Sequence, residues 1–356
     1  MEELWCLYLD GTAIMELPSS IENLTGLDTL KINGCLGLQG LPSSICQLKS
    51  LRDVSLSGCS SFEKFPEISK VTEGFTYLYL DKTALKELLS SIINLSGVES
   101  LNLEGCRGLK SLPCSIWELK CLRDVNLSRC SKFHKFPEIS MVVKGLSSLR
   151  LDETAIEELP SSIKHLTGLS TLNLRGCRGL KVLPSSIFQL KSLRDVTLSG
   201  CSNFEKFPEI SEATKVLTYR SLDRTAIREL ASSIENLKGL VSLNLKDCRE
   251  LKSLPSSICQ LKSLKYGTLS GCPKLEVLPI SKYSEVMKES NQCSTKYVTA
   301  TKFGQLVVAS DLIFYQPVDG VVVDGVNVLL IPLGLDCLFL GKFGCSCLWG
   351  YGDGLL

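Results

Sequence analysis

Cysteine is the residue of this chain with the widest choice of chemistry, because a thiol can form a disulfide, bind a metal ion or act as a nucleophile. The sequence of 356 residues contains 17 cysteines. Eight of them follow an alternating spacing of 24 and 47 residues: Cys35, Cys59, Cys106, Cys130, Cys177, Cys201, Cys248 and Cys272. Such a regular spacing predicts that each thiol occupies the same position of a repeating unit.

Disulfides and metal binding are the first chemistries to weigh. If the units contribute neighbouring strands, adjacent thiols lie about 5 Å apart, which is within disulfide reach. The chain opens with Met1-Glu2-Glu3-Leu4 and shows no signal peptide, so we expect a reducing compartment and buried, unpaired thiols. There is no C-x-x-C motif, and the closest pair, Cys345 and Cys347, has no histidine nearby. We therefore expect no metal site.

Catalysis and cofactor binding are not indicated by the other motifs. The two histidines, His134 and His165, fall at turn or convex positions, and no nucleophile and base can be assembled around them. The phosphate-binding patterns G-x-x-x-x-G-K-[ST] and G-x-G-x-x-G are absent. We expect a protein that is not an enzyme and that requires no cofactor.

The elements that carry these residues repeat along the chain. The motif Leu-Asp-x-Thr-Ala-(Ile/Leu) begins at Leu9, Leu80, Leu151 and Leu222, so it recurs every 71 residues. Within each copy a Leu-x-Leu pattern recurs every 23–24 residues, which gives about twelve units along the chain. This unit length, with the frame L-x-x-L-x-L-x-x-(C/T)-x-x-L-x-x-L-P, is typical of leucine-rich repeats. Stacked repeats build long binding surfaces and seldom build catalytic clefts.

Each unit predicts a strand, a turn and a short helical segment. The Leu-x-Leu pattern has period two, so its leucines point inward and their neighbours outward. The cysteine position is expected to be buried and to bond the turning backbone. Four units have threonine there: Thr12, Thr83, Thr154 and Thr225. In Leu-Pro-Ser-Ser-Ile, serine is expected to cap the helical turn, with Ser19–Glu22 and Ser232–Glu235 as weak capping boxes.

The predicted fold is therefore an α/β leucine-rich-repeat solenoid. We expect a right-handed arc with parallel strands on its concave face and short helices or 3₁₀ turns on its convex face. The repeats are predicted to span residues 1–280, followed by a linker at 281–304. Residues 305–356 predict a small β-rich tail or a poorly packed segment, with turn signals at Asp319-Gly320 and Asp324-Gly325.

Protein recognition is the chemistry that the outward positions favour. Aspartate recurs there in every third unit, about 14 Å apart, and tyrosine or arginine interrupts the charge. Because aromatic side chains dominate binding at interfaces, we expect a protein-binding concave face. Its candidate residues are Tyr8, Asp10, Tyr77, Tyr79, Asp81, Arg150, Asp152 and Asp223. The alternative is that these are solvated residues copied by duplication.

Two further features of the outward positions bear on this prediction. Between the units just named, Asp53, Asp124 and Asp195 recur, each preceded by an arginine. Tyr219 is a less certain candidate, because Arg220 beside it occupies an inward position and is expected to disturb local packing.

Charge and hydropathy restrict the partners. Lys and Arg total 39 against 38 Asp and Glu, a balance that argues against nucleic-acid or polybasic membrane binding. The apolar segment Val326–Leu340 is too short and too interrupted to span a membrane. We expect a protein partner, no nucleic acid and no membrane.

Four sequence motifs resemble those of a known family: Leu-Asp-Gly-Thr-Ala-Ile, Glu-Leu-Pro-Ser-Ser-Ile, Leu-Lys-Ser-Leu and Leu-Ser-Gly-Cys-Ser. Over roughly residues 1–280 the chain resembles the repeats of plant intracellular nucleotide-binding leucine-rich-repeat immune receptors of the TIR type. The resemblance implies contact with pathogen effectors or guarded host proteins, autoinhibition of a nucleotide-binding module in cis or in trans, and a role in defence signalling. It implies a cytoplasmic location, with the nucleus as the alternative.

This chain contains neither a TIR nor a nucleotide-binding module, and Met1 falls in mid-repeat, so we expect a fragment or a truncated gene product. A free-standing leucine-rich-repeat scaffold or adapter that bridges signalling proteins is the main alternative. A secreted receptor ectodomain is a weaker one, since it needs a signal peptide and cap disulfides.

Overall fold

The computed structural model describes residues 4–276 and four short strands further on. Within 4–276 the chain forms one parallel sheet of twelve strands, and their order in the sheet is their order in the sequence. The strands β1 to β12 are Cys6–Tyr8, Thr29–Lys31, Asp53–Ser55, Tyr77–Tyr79, Ser100–Asn102, Asp124–Asn126, Ser148–Arg150, Thr171–Asn173, Asp195–Thr197, Tyr219–Ser221, Ser242–Asn244 and Tyr266–Thr268. The predicted repeat solenoid and the positions of its strands are confirmed.

The core lies on one side of this sheet. The middle residue of a strand and the residue directly after the strand point inward, as Leu78 and Leu80 do in β4, and both are fully buried. In-register pairing places Leu78 opposite Leu101 of β5, so the inward side chains stack from repeat to repeat. In the edge strand β1, Leu7 and Leu9 are only partly buried.

Eight 3₁₀ turns return the chain to the next strand. They are Ser19–Asn23, Ser43–Gln47, Ser90–Asn94, Cys114–Glu118, Ser161–His165, Ser185–Gln189, Ser232–Asn236 and Ser256–Gln260. They follow two of every three strands, whereas the repeats of β3, β6 and β9 have none. Those repeats read Phe-Pro-Glu-Ile instead of Leu-Pro-Ser-Ser-Ile, and they fill the core with buried pairs such as Phe62 and Phe65.

The predicted serine caps are wrong. The N-cap positions of the turns at Ser19 and Ser232 are Pro18 and Ala231, and neither turn has a side-chain cap bond. Proline or alanine has no side-chain acceptor, and the first serine already lies within the turn. In six of the eight turns the serine at the second position bonds the preceding repeat instead, as when Ser44 Oγ donates to the carbonyl oxygen of Ser19 at 2.7 Å.

A left-handed residue follows every strand of the sheet. The third residue after each strand has φ between 56° and 77°. Seven of these residues are glycine, which adopts this region without a steric penalty. The other five are Lys82, Arg129, Glu153, Arg224 and Asp247. The turn geometry is therefore kept even where the residue is not glycine.

Two antiparallel hairpins are described beyond residue 276. Ala300–Lys302 (β13) pairs with Gln305–Val307 (β14), and Val321–Val323 (β15) pairs with Val326–Val328 (β16). The remainder of the predicted linker and tail, with Cys345 and Cys347, lies outside the described residues. The domain boundaries at 280 and 304 stay predictions.

Candidate protein-binding face

A buried ladder of cysteine and threonine fixes the turn after each strand. Each ladder cysteine donates its thiol hydrogen to a carbonyl oxygen of the preceding repeat, as from Cys59 Sγ to Ile32 at 2.9 Å. The threonines donate within their own turn, as from Thr83 Oγ1 to the carbonyl oxygen of Leu80 at 2.8 Å. Cys106 Sγ donates to the same oxygen at 3.1 Å. The predicted bonding role is confirmed, although Thr12 in the edge repeat is exposed.

Burial raises the pKa of the seven ladder thiols from Cys59 to Cys272. It raises the pKa of Cys106 to about 11 and that of Cys130 to about 12. The twelve cysteines whose side chains the structure describes are free thiols, and the eight ladder cysteines among them are buried. A thiol that keeps its proton at neutral pH is a poor nucleophile, so the ladder serves the fold.

Neither histidine lies in a catalytic arrangement within the part of the chain that the structure describes. His165 Nδ1 is 2.7 Å from the carbonyl oxygen of Ile139. One copy earlier, Asn94 Nδ2 donates to the equivalent carbonyl oxygen of Ile68 at 2.7 Å. His134 is exposed, and its Nδ1 is 2.9 Å from a backbone oxygen two residues away. Among the same residues no group of His, Cys, Asp and Glu could hold a metal ion.

We call the outward side chains of β1 to β12, with the residue two positions after each strand, the strand face. The four predicted aspartates of this face accept hydrogen bonds from neighbouring repeats. Asp81 Oδ1 accepts hydrogen bonds from Ser57 Oγ at 2.6 Å and from Asn102 Nδ2 at 3.2 Å. Asp152 Oδ1 has the same partners one copy later, Ser128 at 2.6 Å and Asn173 at 3.0 Å.

Asp223 is the most enclosed of these aspartates. It accepts hydrogen bonds from Ser199, Ser221 and Asn244, and its other oxygen lies 3.0 Å from Arg224 Nη2. Burial works against the charge, but the hydrogen bonds from the serines and from Arg224 leave the pKa of Asp223 below its usual value. Asp10 in the edge repeat accepts only the backbone N–H of Asn33, at 2.7 Å. Most of the predicted acidic column therefore connects strands.

Sequence reasoning missed the asparagines that complete this network. Asn102 Oδ1 accepts the backbone N–H of Glu104 at 3.1 Å, and Asn126 Oδ1 accepts that of Ser128 at 3.0 Å. A side chain that bonds the backbone two residues on is an Asx-type turn. Asparagine at the end of a strand, three residues before the left-handed turn residue, is the signal that could have found them.

The aromatic and cationic candidates are arranged differently. Tyr8 is 59% exposed and Tyr77 is 42% exposed, while Tyr79 is half-buried. The rings of Tyr77 and Tyr79 are nearly parallel, with centroids 6.5 Å apart and an angle of 12° between their planes. Arg150 is exposed at the end of β7. The structure thus divides the predicted set into bonded aspartates and accessible tyrosine and arginine side chains.

Arg220 is buried in the core, at 2% exposure. Its guanidinium carbon lies 4.2 Å from the ring centroid of Phe207 and 5.4 Å from that of Phe188. Nε and Nη1 have no hydrogen-bond partner in the described part of the chain. Burial lowers the pKa of Arg220 to about 9, so the group is still charged at neutral pH. Strand pairing is undisturbed, because β10 keeps its register with β9 and β11.

Comparison with known proteins identifies the repeats. Residues 47–133, 118–206 and 190–278 each match the family described as "Disease resistance protein RPS4B-like, leucine-rich repeats". The chain belongs to this family. The resemblance to TIR-type plant resistance receptors is confirmed, and homology to disease-resistance proteins supports a protein-interaction role in immunity.

Three Arabidopsis thaliana relatives show the extent of this homology. Protein SUPPRESSOR OF npr1-1, CONSTITUTIVE 1 is 38% identical over 199 residues, which cover 49% of this chain and 13% of that protein. Disease resistance protein RPP5 is 40% identical over 196 residues, with the same two coverages. Disease resistance protein RPS4B is 33% identical over 167 residues, covering 46% of this chain and 12% of that protein. The chain therefore spans about an eighth of the length of these relatives.

A solved structure supports the fold alone. A chain of the Toll–Spatzle complex of Drosophila superimposes with a TM-score of 0.53 at 17% identity, covering 71% of this chain and 38% of that one. In the described residues, no helix has the length and apolar character needed to cross a membrane.

Proposed function

We propose that this chain is the recognition region of a plant intracellular immune receptor, and that its strand face binds a pathogen effector or a guarded host protein. In the same proposal the repeats help to hold a nucleotide-binding module inactive, in the same chain or in trans. Membership of the resistance-protein family supports the immune role.

The proposed binding site rests on one observation, which is that the predicted residues of the strand face fall into two groups. Tyr8, Tyr77 and Arg150 are exposed. Within residues 4–276 no hydrogen bond involves the side chain of Tyr77 or Arg150, whereas the Tyr8 hydroxyl is hydrogen-bonded to Cys6 in the same strand. The four predicted aspartates, in contrast, accept hydrogen bonds from neighbouring repeats, as Asp81 does from Ser57. Exposed aromatic and arginine side chains on a rigid sheet are the residue types that dominate protein interfaces. We therefore assign contact to the tyrosines and Arg150, and positioning to Asp10, Asp81, Asp152 and Asp223.

The proposal is tested on the 356-residue chain with a panel of purified effector and host proteins. Affinities are measured by biolayer interferometry for the chain and for a variant in which Tyr8, Tyr77, Tyr79 and Arg150 are all alanine. We expect the variant to bind a partner at least about tenfold more weakly, because truncating one interface anchor costs about 1–2 kcal/mol or more. Its melting temperature should change little.

The matched control removes exposed apolar side chains elsewhere. Met15, Val71, Met141 and Val142 are exposed but lie outside the strand face. Replacing these four by serine should leave the affinity unchanged. If this control loses the partner while the strand-face variant keeps it, the binding surface is in the connecting loops and the proposal is wrong.

A further inference from the structure

The Tyr77–Tyr79 pair forms two parallel walls on the strand face. The side chains are two residues apart on β4, so both point outward. Their planes differ by 12° and their centroids are 6.5 Å apart. A planar group stacks on an aromatic face at about 3.5 Å, so a thin, flat group can stack against one of these rings while it touches the other.

Asp53 lies beside this pair with unused hydrogen-bonding capacity. It is the direct neighbour of Tyr77 in the pairing of β3 with β4. Its Oδ1 is buried and has no hydrogen-bond partner, and no ion pair within residues 4–276 includes its carboxylate. Burial raises the pKa of Asp53. The pKa of Tyr79 is raised by burial first and then by the negative charge of Asp53. An added positive charge would stabilise the ionised carboxylate.

The strand face near Asp53 already contains one contact between a cation and a tyrosine ring. Lys31 Nζ lies 5.5 Å from the centroid of the Tyr8 ring, and its positive charge offsets only part of the burial that raises the pKa of Asp53. The strand face of β1 to β5 is otherwise acidic, since Lys31 is its one cation among the described residues. Its carboxylates are Asp10, Asp53, Asp81 and Glu104. Charge complementarity therefore favours a basic partner at this end of the solenoid.

We propose that Tyr77, Tyr79 and Asp53 together bind an arginine side chain of the protein partner. A guanidinium is planar, so it can stack on tyrosine while it donates hydrogen bonds to a carboxylate. Lysine has the charge without the plane and fits the tyrosine pair less well. This inference rests on the proposed function, because it names the chemistry of the partner at the same surface.

The test uses the full chain and a small probe, N-acetyl-arginine methylamide, followed by NMR of ¹³C-labelled tyrosine rings. Tyr77 and Tyr79 are assigned with single phenylalanine variants. We expect both rings to shift in a saturable way with the arginine probe, less with the lysine analogue, and not with the citrulline analogue, which has the same shape without the charge. Asp53→Asn should weaken arginine binding about fivefold, as expected for the loss of one partly desolvated ion pair.

Two variants separate this site from general charge effects. Asp124 occupies the same repeat position as Asp53, but its β7 neighbour is Ser148 instead of tyrosine. Asp124→Asn should leave the arginine-induced shifts unchanged. Tyr79→Leu, which keeps an apolar side chain but removes the ring, should weaken the effect of arginine on the remaining Tyr77.

Three results overturn the inference: equal shifts with citrulline, an unchanged response in Asp53→Asn, or no arginine-specific shift up to the solubility limit of the probe. These results are independent of the effector panel. A chain that binds the arginine probe but no effector or host protein keeps this site and loses the proposed function. A chain that binds an effector without responding to arginine keeps the proposed function and loses this site.

Discussion

The two sides of each strand differ in how much they change from repeat to repeat. On the inward side the middle residue is Leu or Val except in β10 and β12, which have Arg220 and Gly267. On the outward side the residues range from Tyr79 in β4 to Arg150 in β7, with serine and asparagine between them. Core packing restricts the inward side, whereas the outward side is restricted only where a side chain bonds its neighbours. The inward side therefore specifies the fold, and the outward side is free to specify a partner.

Alkaline pH should destabilise the buried ladder on the inward side, and this is the largest of the expected effects on the free energy of unfolding. Burial raises the folded-state pKa from its ordinary value of 9.0 to about 11 in Cys106 and Cys272 and to about 12 in Cys130 and Cys201. Between these values the unfolded chain loses thiol protons that the folded chain keeps. The ladder's contribution is therefore complete below pH 9 and is lost as the pH rises toward 12. Each thiol lowers the free energy of unfolding by up to about 1.4 kcal/mol per pH unit.

Denaturant unfolding at pH 7, 9 and 10.5 measures this loss, and Cys130→Ala is the control for the tyrosines and lysines that titrate in the same range. The variant should show a shallower decline above pH 9, by about 1 kcal/mol per pH unit. An identical slope in the variant and the parent would exclude the ladder as the cause.

Exchanging arginine and leucine between two copies tests the inward side at one position. Leu149 lies 71 residues before Arg220 and is fully buried, and in its copy Trp117 and Phe136 stack at the positions equivalent to Phe188 and Phe207. Leu149→Arg should lower the free energy of unfolding by about 4 kcal/mol, and Arg220→Leu should raise it by about 2 kcal/mol. Both values come from chemical denaturation. No gain in Arg220→Leu would mean that the contacts with Phe188 and Phe207 offset the burial of the charge.

Close approach between repeats gives the next largest effect. A Cβ at Gly168 would lie 2.0 Å from the carbonyl oxygen of Lys144 in the preceding repeat. Gly168→Ala should therefore cost about 3 kcal/mol, because backbone must move. At Gly40 the nearest atom to an added Cβ is 3.9 Å away, so Gly40→Ala should change stability by less than about 0.5 kcal/mol. Equal melting temperatures for the two variants would show that the repeats can separate at little cost.

The difference between the inward and outward sides also explains which features of the structure could be predicted from the sequence. The strands were predictable, because the Leu-x-Leu spacing at positions such as Leu78 and Leu80 follows directly from burial. The serine caps were wrong because Pro18 already occupies the N-cap position. On the outward side, the spacing of the residues predicted that Asp81 points outward. It could not predict the hydrogen bonds of Asp81, because Ser57 and Asn102 reach this carboxylate from two other repeats. Contacts between residues more than twenty positions apart depend on the stacking itself.

The smallest effect is expected on the outward side, where Tyr219 and Asp223 can be compared within one repeat. Tyr219 is 55% exposed, so Tyr219→Ser should change the free energy of unfolding by less than about 0.5 kcal/mol. Asp223→Ala should cost about 2 kcal/mol, because Ser199, Ser221 and Asn244 lose their acceptor. Urea unfolding of both variants measures the difference. If Tyr219→Ser were as costly as Asp223→Ala, the exposed tyrosines would belong to the scaffold, and a surface that must keep its residues for stability could not vary freely to fit a partner.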